Sequence, residues 1–372
     1  GTADTRTSQP RSTPRKQATM LSPASSAEKF IASMNQALKE TKAKEGKPLS
    51  VAFLGSSGSF TDAACQAFFS GASVTTNAVG KPSFEKVFSA VETGEVAAGI
   101  VPIESTWSGS FARCYDCLLQ HKGVEIVGEI SVLDPHCFCA LPGSDKAGIV
   151  AVHSHPDIML QCSGFIEGLS KNIQKLSNID SATACATVKR LNDKTHGCIC
   201  SPAAAKLHGL EVLETGVAND SNSASRYIIV SAAEKTSADA KSENSKVINA
   251  DTKIIKEAMG GGIGGDGVLK CTIAVTMHNE AQGLFKVLSC FALRNINVTK
   301  LDSRPSSSAL GSILDNSAHW EYVFFIDFEP RNQQAIETVM TNVREYTSSL
   351  RILGTYTRNL KMGKVRLSLS SI

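Results

Sequence analysis

The stretch Asn219-Asp-Ser-Asn-Ser-Ala-Ser-Arg-Tyr-Ile-Ile-Val-Ser231 joins a run of small polar residues to an apolar run. Ile228 to Ser231 is typical of a buried strand, and the residues before it are typical of a loop. We therefore predict that Ser225, Arg226 and Tyr227 lie where the loop enters the strand. An arginine is rarely buried without a partner, and its planar fork suits a carboxylate. A structural ion pair and a bound ligand both fit this local pattern.

The composition excludes some classes of protein. The chain has 372 residues, of which 42% are hydrophobic and 20% charged. This length predicts two or three soluble domains. The formal net charge is only +3, so there is no electrostatic case for a nucleic-acid partner. No apolar run approaches the roughly 18–20 residues that span a bilayer, so we expect no membrane attachment.

The eleven cysteines favour buried, reduced thiols in an intracellular protein. His136-Cys-Phe-Cys-Ala140 and Gly197-Cys-Ile-Cys-Ser201 alternate as buried strands do. Cys114 and Cys117 form a Cys-x-x-Cys pair inside an apparent helix, and the second pair of a zinc ribbon is missing. We therefore expect no metal site.

Between residues 48 and 232 the chain alternates strands with helices. This pattern predicts an α/β fold with mainly parallel sheets, and the length allows two lobes. The predicted strands are 49–54, 97–103, 124–132, 136–141 and 149–152. The predicted helices begin after Ser83, as an N-cap, and near residues 110, 155, 182 and 202.

A second unit follows at residues 269–360. Its predicted order is strand 270–278, helix 282–293, strands 296–303 and 321–328, helix 333–346 and strand 350–356. This is the βαββαβ, ferredoxin-like arrangement.

Three segments have the composition of linkers or tails. Residues 233–268 are small, charged and glycine-rich, and Gly260 to Gly267 lacks the preceding strand and the Gly-Lys-Ser/Thr of a phosphate loop, so we predict a flexible linker. Residues 1–47 are rich in Ser, Thr and basic residues at their start, which fits a solvated tail or the remnant of a transit peptide. Residues 361–372 are predicted to be a C-terminal tail.

Hydroxyl-rich loops recur where predicted strands and helices meet. Besides the opening stretch they are Gly55-Ser-Ser-Gly-Ser-Phe-Thr61, Glu104-Ser-Thr-Trp-Ser-Gly-Ser110, Ser154-His-Pro156 and Asp180-Ser-Ala182. Each could simply cap a helix. Loops at the carboxyl ends of parallel strands also gather around one crevice, where helix N-termini favour anions. The repetition favours a small, carboxylated, oxygen-rich ligand, and Glu104 is the acid in the best loop position.

These loops resemble motifs of the prephenate dehydratases and the related arogenate dehydratases. Gly55 to Thr61 resembles the family's Gly-rich loop. Val101-Pro-Ile-Glu-Ser-Thr-Trp-Ser-Gly-Ser110 resembles its Val-Pro-Ile-Glu-Asn-Ser-x-x-Gly-Ser signature, and Ser225-Arg226-Tyr227 its Thr-Arg-Phe. In the second unit, Gly283-Leu-Phe-Lys-Val-Leu288 and Ile296-Asn-Val-Thr-Lys-Leu-Asp-Ser-Arg-Pro305 resemble a regulatory ACT domain.

The resemblance implies a two-lobed catalytic domain at 48–232, of periplasmic-binding-protein type, followed by an ACT domain. It implies the loss of water and carbon dioxide from prephenate to give phenylpyruvate, without a cofactor or metal. The implied catalytic residues are Ser225 as proton donor, Arg226 as carboxylate ligand, and Glu104. The implied substrate-binding residues are Ser59, Thr61, Ser105, Thr106, Ser110, Ser181 and Tyr227.

The resemblance further implies that phenylalanine binds the ACT domain and inhibits a homodimer or homotetramer. The implied effector residues are Gly283, Leu284, Asp302, Ser303, Arg304 and Pro305. Ser105 replaces the family's Asn, and Ser181 and Ser225 replace Thr. Arogenate as the substrate, and a non-catalytic amino-acid sensor, are the two alternatives. A transit-like N-terminus favours the plastid stroma, with the cytoplasm as the alternative.

Overall fold

The computed structural model describes residues 48–71, 75–233, 267–277, 281–306 and 321–358, together with 1, 253, 255 and 256. Nearly all of the predicted N-terminal tail, most of the predicted linker and the predicted C-terminal tail lie outside the described residues. Among the helices of the described ranges, none combines the length and the apolar character needed to cross a membrane.

The secondary structure follows the predicted order. Four strands of the first α/β region were not predicted, namely β2, β4, β8 and β10. The strands are β1 (Leu49–Leu54), β2 (Thr76–Lys81), β3 (Ala98–Ser105), β4 (Gly109–Ser110), β5 (Val124–Leu133), β6 (Cys137–Ala140), β7 (Ala151–Ser154), β8 (Gln174–Ser177), β9 (His196–Cys200), β10 (Glu211–Thr215), β11 (Ala224–Ala232), β12 (Leu269–Met277), β13 (Asn297–Pro305), β14 (Tyr322–Glu329) and β15 (Thr347–Thr357). The helices are α1 (Phe60–Gly71), α2 (Phe84–Glu92), α3 (Ala112–Gln120), α4 (Pro156–Gln161), α5 (Ser163–Leu169), α6 (Ser181–Leu191), α7 (Pro202–His208), α8 (Gly283–Ala292) and α9 (Gln333–Arg344).

Two sheets organise the described residues, which confirms the α/β class. The larger runs β13-β14-β12-β15-β5-β11-β3-β1-β2, with β4 paired to β3, and the smaller runs β10-β6-β9-β7-β8. The prediction of mainly parallel sheets is wrong. After β10 the chain returns to the larger sheet, where β11 inserts between β3 and β5 and runs antiparallel to both.

Strand alternation divides the larger sheet into two apolar faces. Val101 and Ile228 belong to the core under α2 and α3, whereas Ile100 and Ile229 belong to the core under α1. Ser83 accepts a hydrogen bond from the backbone N–H of Lys86 and so caps α2 as predicted. The strands next to β11 are therefore held between two packed layers.

The second unit has the predicted ferredoxin-like order, with antiparallel pairs β13-β14, β14-β12 and β12-β15. Its helices α8 and α9 pack on one face through residues such as Phe291 and Ile336. Strand β15 also meets β5 in parallel at Gly354 and Ile126. A Cβ at Gly354 would lie 2.1 Å from the Ile126 carbonyl oxygen, so only glycine permits this approach.

Candidate active site

A cleft of about 400 Å³ lies between β11 and the loops that lead into α1, α4 and α6. This volume is in the range of small-molecule sites. Six of the predicted substrate or catalytic residues line it. They are Ser59, Thr61, Ser105, Ser181, Ser225 and Tyr227.

The loop before α1 brings the two sheets together at this cleft. Gly58 has φ of 85° and lies against α7, where a Cβ would be 2.9 Å from the Ala204 Cα. The Ser201 hydroxyl donates to the Gly58 carbonyl oxygen at 2.6 Å, and the Gly58 N–H donates to Asp62 Oδ2 at 2.7 Å. The loop is thus fixed from both sides, which places Ser59 and Thr61 at the start of α1.

Ser225 is buried at the cleft and has one carboxyl partner. Its Oγ donates to Asp134 Oδ2 at 2.7 Å. Asp134 follows β5, and its backbone N–H donates to the Ser223 carbonyl oxygen. Burial raises the pKa of Asp134 to about 7, against the hydrogen bond from Ser225, which lowers it. Near neutral pH this carboxyl group is therefore populated in both its acid and its anionic form.

His136 lies beside Asp134 and also lines the cleft. Its Nδ1 is 2.6 Å from the Asp134 carbonyl oxygen, to which it donates in the Nδ1–H tautomer. Burial lowers the pKa of His136 to about 4, so the ring is neutral at pH 7. Neither residue was predicted from the sequence as a site residue, although the polar Asp134-Pro135 directly before the predicted strand 136–141 was a usable signal.

Arg113 supplies positive charge to the cleft. Among the described residues that line it, Arg113 is the only arginine or lysine. It belongs to the first turn of α3, and its Nε donates to Glu85 Oε1 at 2.6 Å. Its Nη1 also lies 3.7 Å from Asp116 Oδ2, and about half of its side chain remains accessible to a ligand.

Arg226 lies outside the cleft, in contrast to the predicted position. Strand alternation turns Ser225 and Tyr227 toward the cleft and Arg226 toward the opposite face. There its Nη1 lies 2.9 Å from Glu129 Oε2 and 3.1 Å from Asp327 Oδ2, and its Nε lies 2.5 Å from Glu104 Oε1. We refer to Arg226, Glu104, Glu129, Lys270 and Asp327 as the buried ion network.

The network joins the first unit to the second. Lys270 on β12 lies 2.9 Å from Glu129 and 3.3 Å from Asp327 on β14. Burial alone would raise the pKa of Asp327, but Arg226 and Lys270 hold it below its usual value. Burial would likewise raise the pKa of Glu104, but the positive charges of Arg226 and Lys300 outweigh it and lower that pKa.

Thr106 and Ser110, which were also predicted to bind the substrate, lie outside the cleft lining. The Thr106 hydroxyl accepts from the backbone N–H of Ala224 at 3.0 Å, so it supports the start of β11. The Ser110 hydroxyl accepts from Lys300 Nζ of β13 at 2.8 Å. Lys300 also pairs with Glu104, so β13 contacts this loop directly.

The predicted effector residues lie on α8 and β13. Gly283 and Leu284 begin α8. Asp302 Oδ1 accepts from the backbone N–H of Ser303, and Pro305 ends β13. Arg304 donates to both carboxylate oxygens of Asp116 on α3, each at 3.1 Å. A role for these residues in binding phenylalanine stays a prediction.

Potential metal ligands are grouped away from the cleft. In the part of the chain that the structure describes, one group of three His, Cys, Asp or Glu ligand atoms is close enough for a shared ion. It consists of Cys185, Cys198 and Cys200, none of which lines the cleft.

Comparisons with known proteins identify the family of the chain. Residues 51–235 match the family model described as prephenate dehydratase. The chain is 32% identical over 317 residues to arogenate dehydratase 3, chloroplastic, of Arabidopsis thaliana, a match covering 84% of this chain and 68% of that relative. This similarity carries the family assignment.

Two solved structures share the fold. The prephenate dehydratase of Arthrobacter aurescens, in complex with L-Phe, has a TM-score of 0.65 at 22% identity and covers 84% of this chain and 90% of its own. GqqA, described as a novel type of quorum quenching acylase, has a TM-score of 0.65 at 23% identity. The match covers 84% of this chain and 98% of GqqA. One fold thus accompanies two differently named activities, so the site must decide the chemistry.

Proposed function

The chain belongs to the family of prephenate and arogenate dehydratases, a family of lyases, and we propose that its cleft carries out their decarboxylating dehydration. The observation that carries this proposal is the hydrogen bond between Ser225 and Asp134 inside the cleft. A hydroxyl beside a carboxyl group whose pKa is raised to about 7 is suited to delivering a proton at neutral pH.

The reaction needs no covalent bond between the substrate and the protein. The electrons of the bond to the leaving carboxylate enter the ring, and the hydroxyl on the far side of the ring leaves with its own electron pair. That oxygen takes up one proton and departs as water, while the carboxylate departs as carbon dioxide. Aromatisation supplies the driving force, so the enzyme has to orient the ring and to supply the proton.

Asp134 is the proposed source of the proton, and Ser225 its carrier. A serine hydroxyl is a weak acid on its own. When Asp134 is protonated, its O–H donates to Ser225 Oγ, and the Ser225 proton becomes available to the departing hydroxyl. The neutral ring of His136, bound to the Asp134 carbonyl oxygen, holds this segment in place. Asp134 and Ser225 are thus the proposed catalytic pair.

Arg113 is the proposed ligand for a substrate carboxylate, a role that the sequence analysis gave to Arg226. Arg113 lines the cleft and keeps about half of its side chain exposed, whereas Arg226 is held by three carboxylates on the opposite face. The N-terminus of α1, where Ser59 Oγ accepts a hydrogen bond from the backbone N–H of Asp62, adds a second region that favours anions.

Arogenate is the substrate that the charges favour. Among the described residues, the cleft lining contains the carboxyl groups of Glu85, Asp134, Asp157 and Asp180 against the single guanidinium of Arg113. Arogenate carries an ammonium group where prephenate carries a keto group, so it is the less anionic of the two. Like charges repel a dianionic ligand, and the name of the Arabidopsis relative also supports arogenate. Prephenate is the second candidate.

Product formation from the two substrates tests the proposal. The purified chain is incubated separately with arogenate and prephenate, and phenylalanine and phenylpyruvate are quantified by mass spectrometry, with Ser225→Ala as the matched control. We expect turnover of both, with the larger kcat/KM for arogenate. No turnover of either, together with phenylalanine binding in calorimetry, would instead identify an amino-acid sensor.

We further propose that the second unit binds phenylalanine and that the enzyme is a homodimer or larger homo-oligomer in the plastid stroma. The L-Phe complex of the Arthrobacter structure and the chloroplastic name of the Arabidopsis relative support these points. Calorimetry with phenylalanine and sedimentation analysis of the full chain test them.

A further inference from the structure

Four cysteines share one face of the smaller sheet, and a fifth packs against them from α6. Strands β6 and β9 are antiparallel, with Cys137 opposite Cys200 and Cys139 opposite Cys198. Residues opposite each other in a sheet point to the same face, as do residues two apart in one strand. All four side chains therefore face α6, which packs on this sheet and contributes Cys185 to the same core.

The sulfur atoms lie close together. Cys198 Sγ is 3.6 Å from Cys185 Sγ, and Cys200 Sγ is 3.6 Å from Cys139 Sγ. The Sγ atoms of Cys185, Cys198 and Cys200 all lie within 4.8 Å of one another. Four sulfurs held about 2.3 Å from a central zinc ion in a tetrahedron are about 3.8 Å apart. Cys185, Cys198 and Cys200 thus already have the spacing of three ligands of one ion. Cys139, whose Sγ contacts that of Cys200, would have to rotate toward the other two to become the fourth.

Burial and ligand type specify the kind of site. Cys139, Cys185, Cys198 and Cys200 are all fully buried. Thiolates select soft cations, and a site closed on all sides by four protein sulfurs has no open position for a substrate or water. Such a site is structural rather than catalytic.

We propose that Cys139, Cys185, Cys198 and Cys200 form a structural Zn²⁺ site that ties α6 to β6 and β9. The bonds formed are Zn–S bonds, and the protons lost from the thiols pass to solvent. The site stands independently of the proposed reaction. It bears on the cleft because α6 begins at Ser181, which lines it. The proposal departs from the sequence-based expectation of buried thiols without a metal site. The ligands come from three separate elements, so they show no zinc-type spacing in the sequence.

Refolding with metal provides the test. The full chain is unfolded in denaturant with a reductant, refolded with a small excess of Zn²⁺ and desalted, and bound zinc is measured by atomic emission. We expect about one zinc per chain in the wild type and in the control Cys162→Ala, and almost none in a Cys185→Ala/Cys198→Ala variant. Cys162 is a suitable control because it is buried in the separate core under α4 and α5.

A second readout does not depend on any variant folding. Refolding of the wild type with Cd²⁺ in place of Zn²⁺ should produce an ultraviolet sulfur-to-cadmium charge-transfer band that saturates at one equivalent. Wild-type protein that keeps no zinc after desalting and shows no such band would overturn the proposal and leave the five thiols as reduced core residues.

Discussion

Buried carboxyl groups on the two faces of β11 have pKa values that are shifted in opposite directions. On the cleft face, Asp134 has the Ser225 hydroxyl as its partner, and burial raises its pKa to about 7. On the other face, Asp327 is at least as deeply enclosed, but Arg226 and Lys270 lower its pKa. Burial disfavours an anion in both places, and only nearby cations reverse the effect. One face thus holds a protonatable acid, whereas the other holds permanent ion pairs.

This contrast assigns different roles to neighbouring residues. Ser225 and Arg226 are adjacent in sequence, yet the first faces a cleft and the second faces a network that spans two units of the chain. We therefore expect substitutions on the cleft face to change turnover or substrate affinity, and substitutions on the network face to change stability first.

The largest expected effect on stability is that of Arg226→Met. This change keeps much of the side-chain volume but leaves Glu104, Glu129 and Asp327 short of a cation. Removing one partner of a buried ion pair costs about 3–5 kcal/mol. We expect a loss of this size in the free energy of unfolding, measured by denaturant titration. Arg113→Met is the matched control and should cost less than about 1 kcal/mol, as for exposed pairs. Equal losses in the two variants would remove the distinction between the faces.

Ser225→Ala should mainly affect the chemical step. Without the hydroxyl, Asp134 loses its carrier, and proton donation of this kind contributes roughly 100-fold or more to a rate. We expect kcat to fall by about that factor with KM nearly unchanged, in steady-state assays of phenylalanine or phenylpyruvate formation. Ser225→Thr keeps the hydroxyl and should retain most of the activity. An increase in KM that accounts for the whole loss would argue for a binding role instead.

Arg113→Met should weaken substrate binding by about tenfold. A hydrogen bond to a charged group contributes about 1.5–3 kcal/mol, and solvent exposure places Arg113 at the lower end. The expected signature is a raised KM with a smaller change in kcat, and Arg113→Lys should recover part of the affinity. An unchanged KM in Arg113→Met would contradict this role and would leave the helix N-termini as the candidate ligands of the substrate carboxylate.

The smallest expected effect is on substrate choice. Asp157 lines the cleft with about half of its side chain exposed. Its removal in Asp157→Asn should lower kcat/KM for arogenate by about threefold, as for a solvent-exposed ion pair, and leave that for prephenate equal or higher. The ratio of the two kcat/KM values measures this directly. A parallel fall for both substrates would contradict a contact with the ammonium group.

The sequence predicted the elements better than their orientation. Continuous apolar runs located β1 and β3, which are buried on both faces of the sheet. A helical apolar period located α2, and regular alternation of strand and helix patterns located the βαββαβ unit. It did not indicate that β11 inserts antiparallel between β3 and β5, since this pairing is made across distant parts of the chain.

The candidate site was predicted only in part, because local patterns do not show which distant elements meet. Hydroxyls next to helix starts, such as Ser59 and Ser181, do line the cleft, because the local geometry of a helix start positions them. Arg226 was grouped with Ser225 by adjacency, although a period of two along a strand already separates their faces. Asp134 acquires its raised pKa from burial by distant elements, a property that no local pattern contains.

The most direct test of the central claim is the pH dependence of kcat/KM in the wild type and in Asp134→Asn. The pKa of Asp134 is raised, so the donating acid is present below about pH 7 and is lost as the pH rises through that value. We predict that wild-type kcat/KM falls on the alkaline side of about pH 7. Asp134→Asn, which can accept or donate a hydrogen bond but cannot give up a proton, should be roughly 100-fold or more less active and lack this limb. A folded Asp134→Asn variant with wild-type activity, or the same alkaline limb in both proteins, would contradict the account.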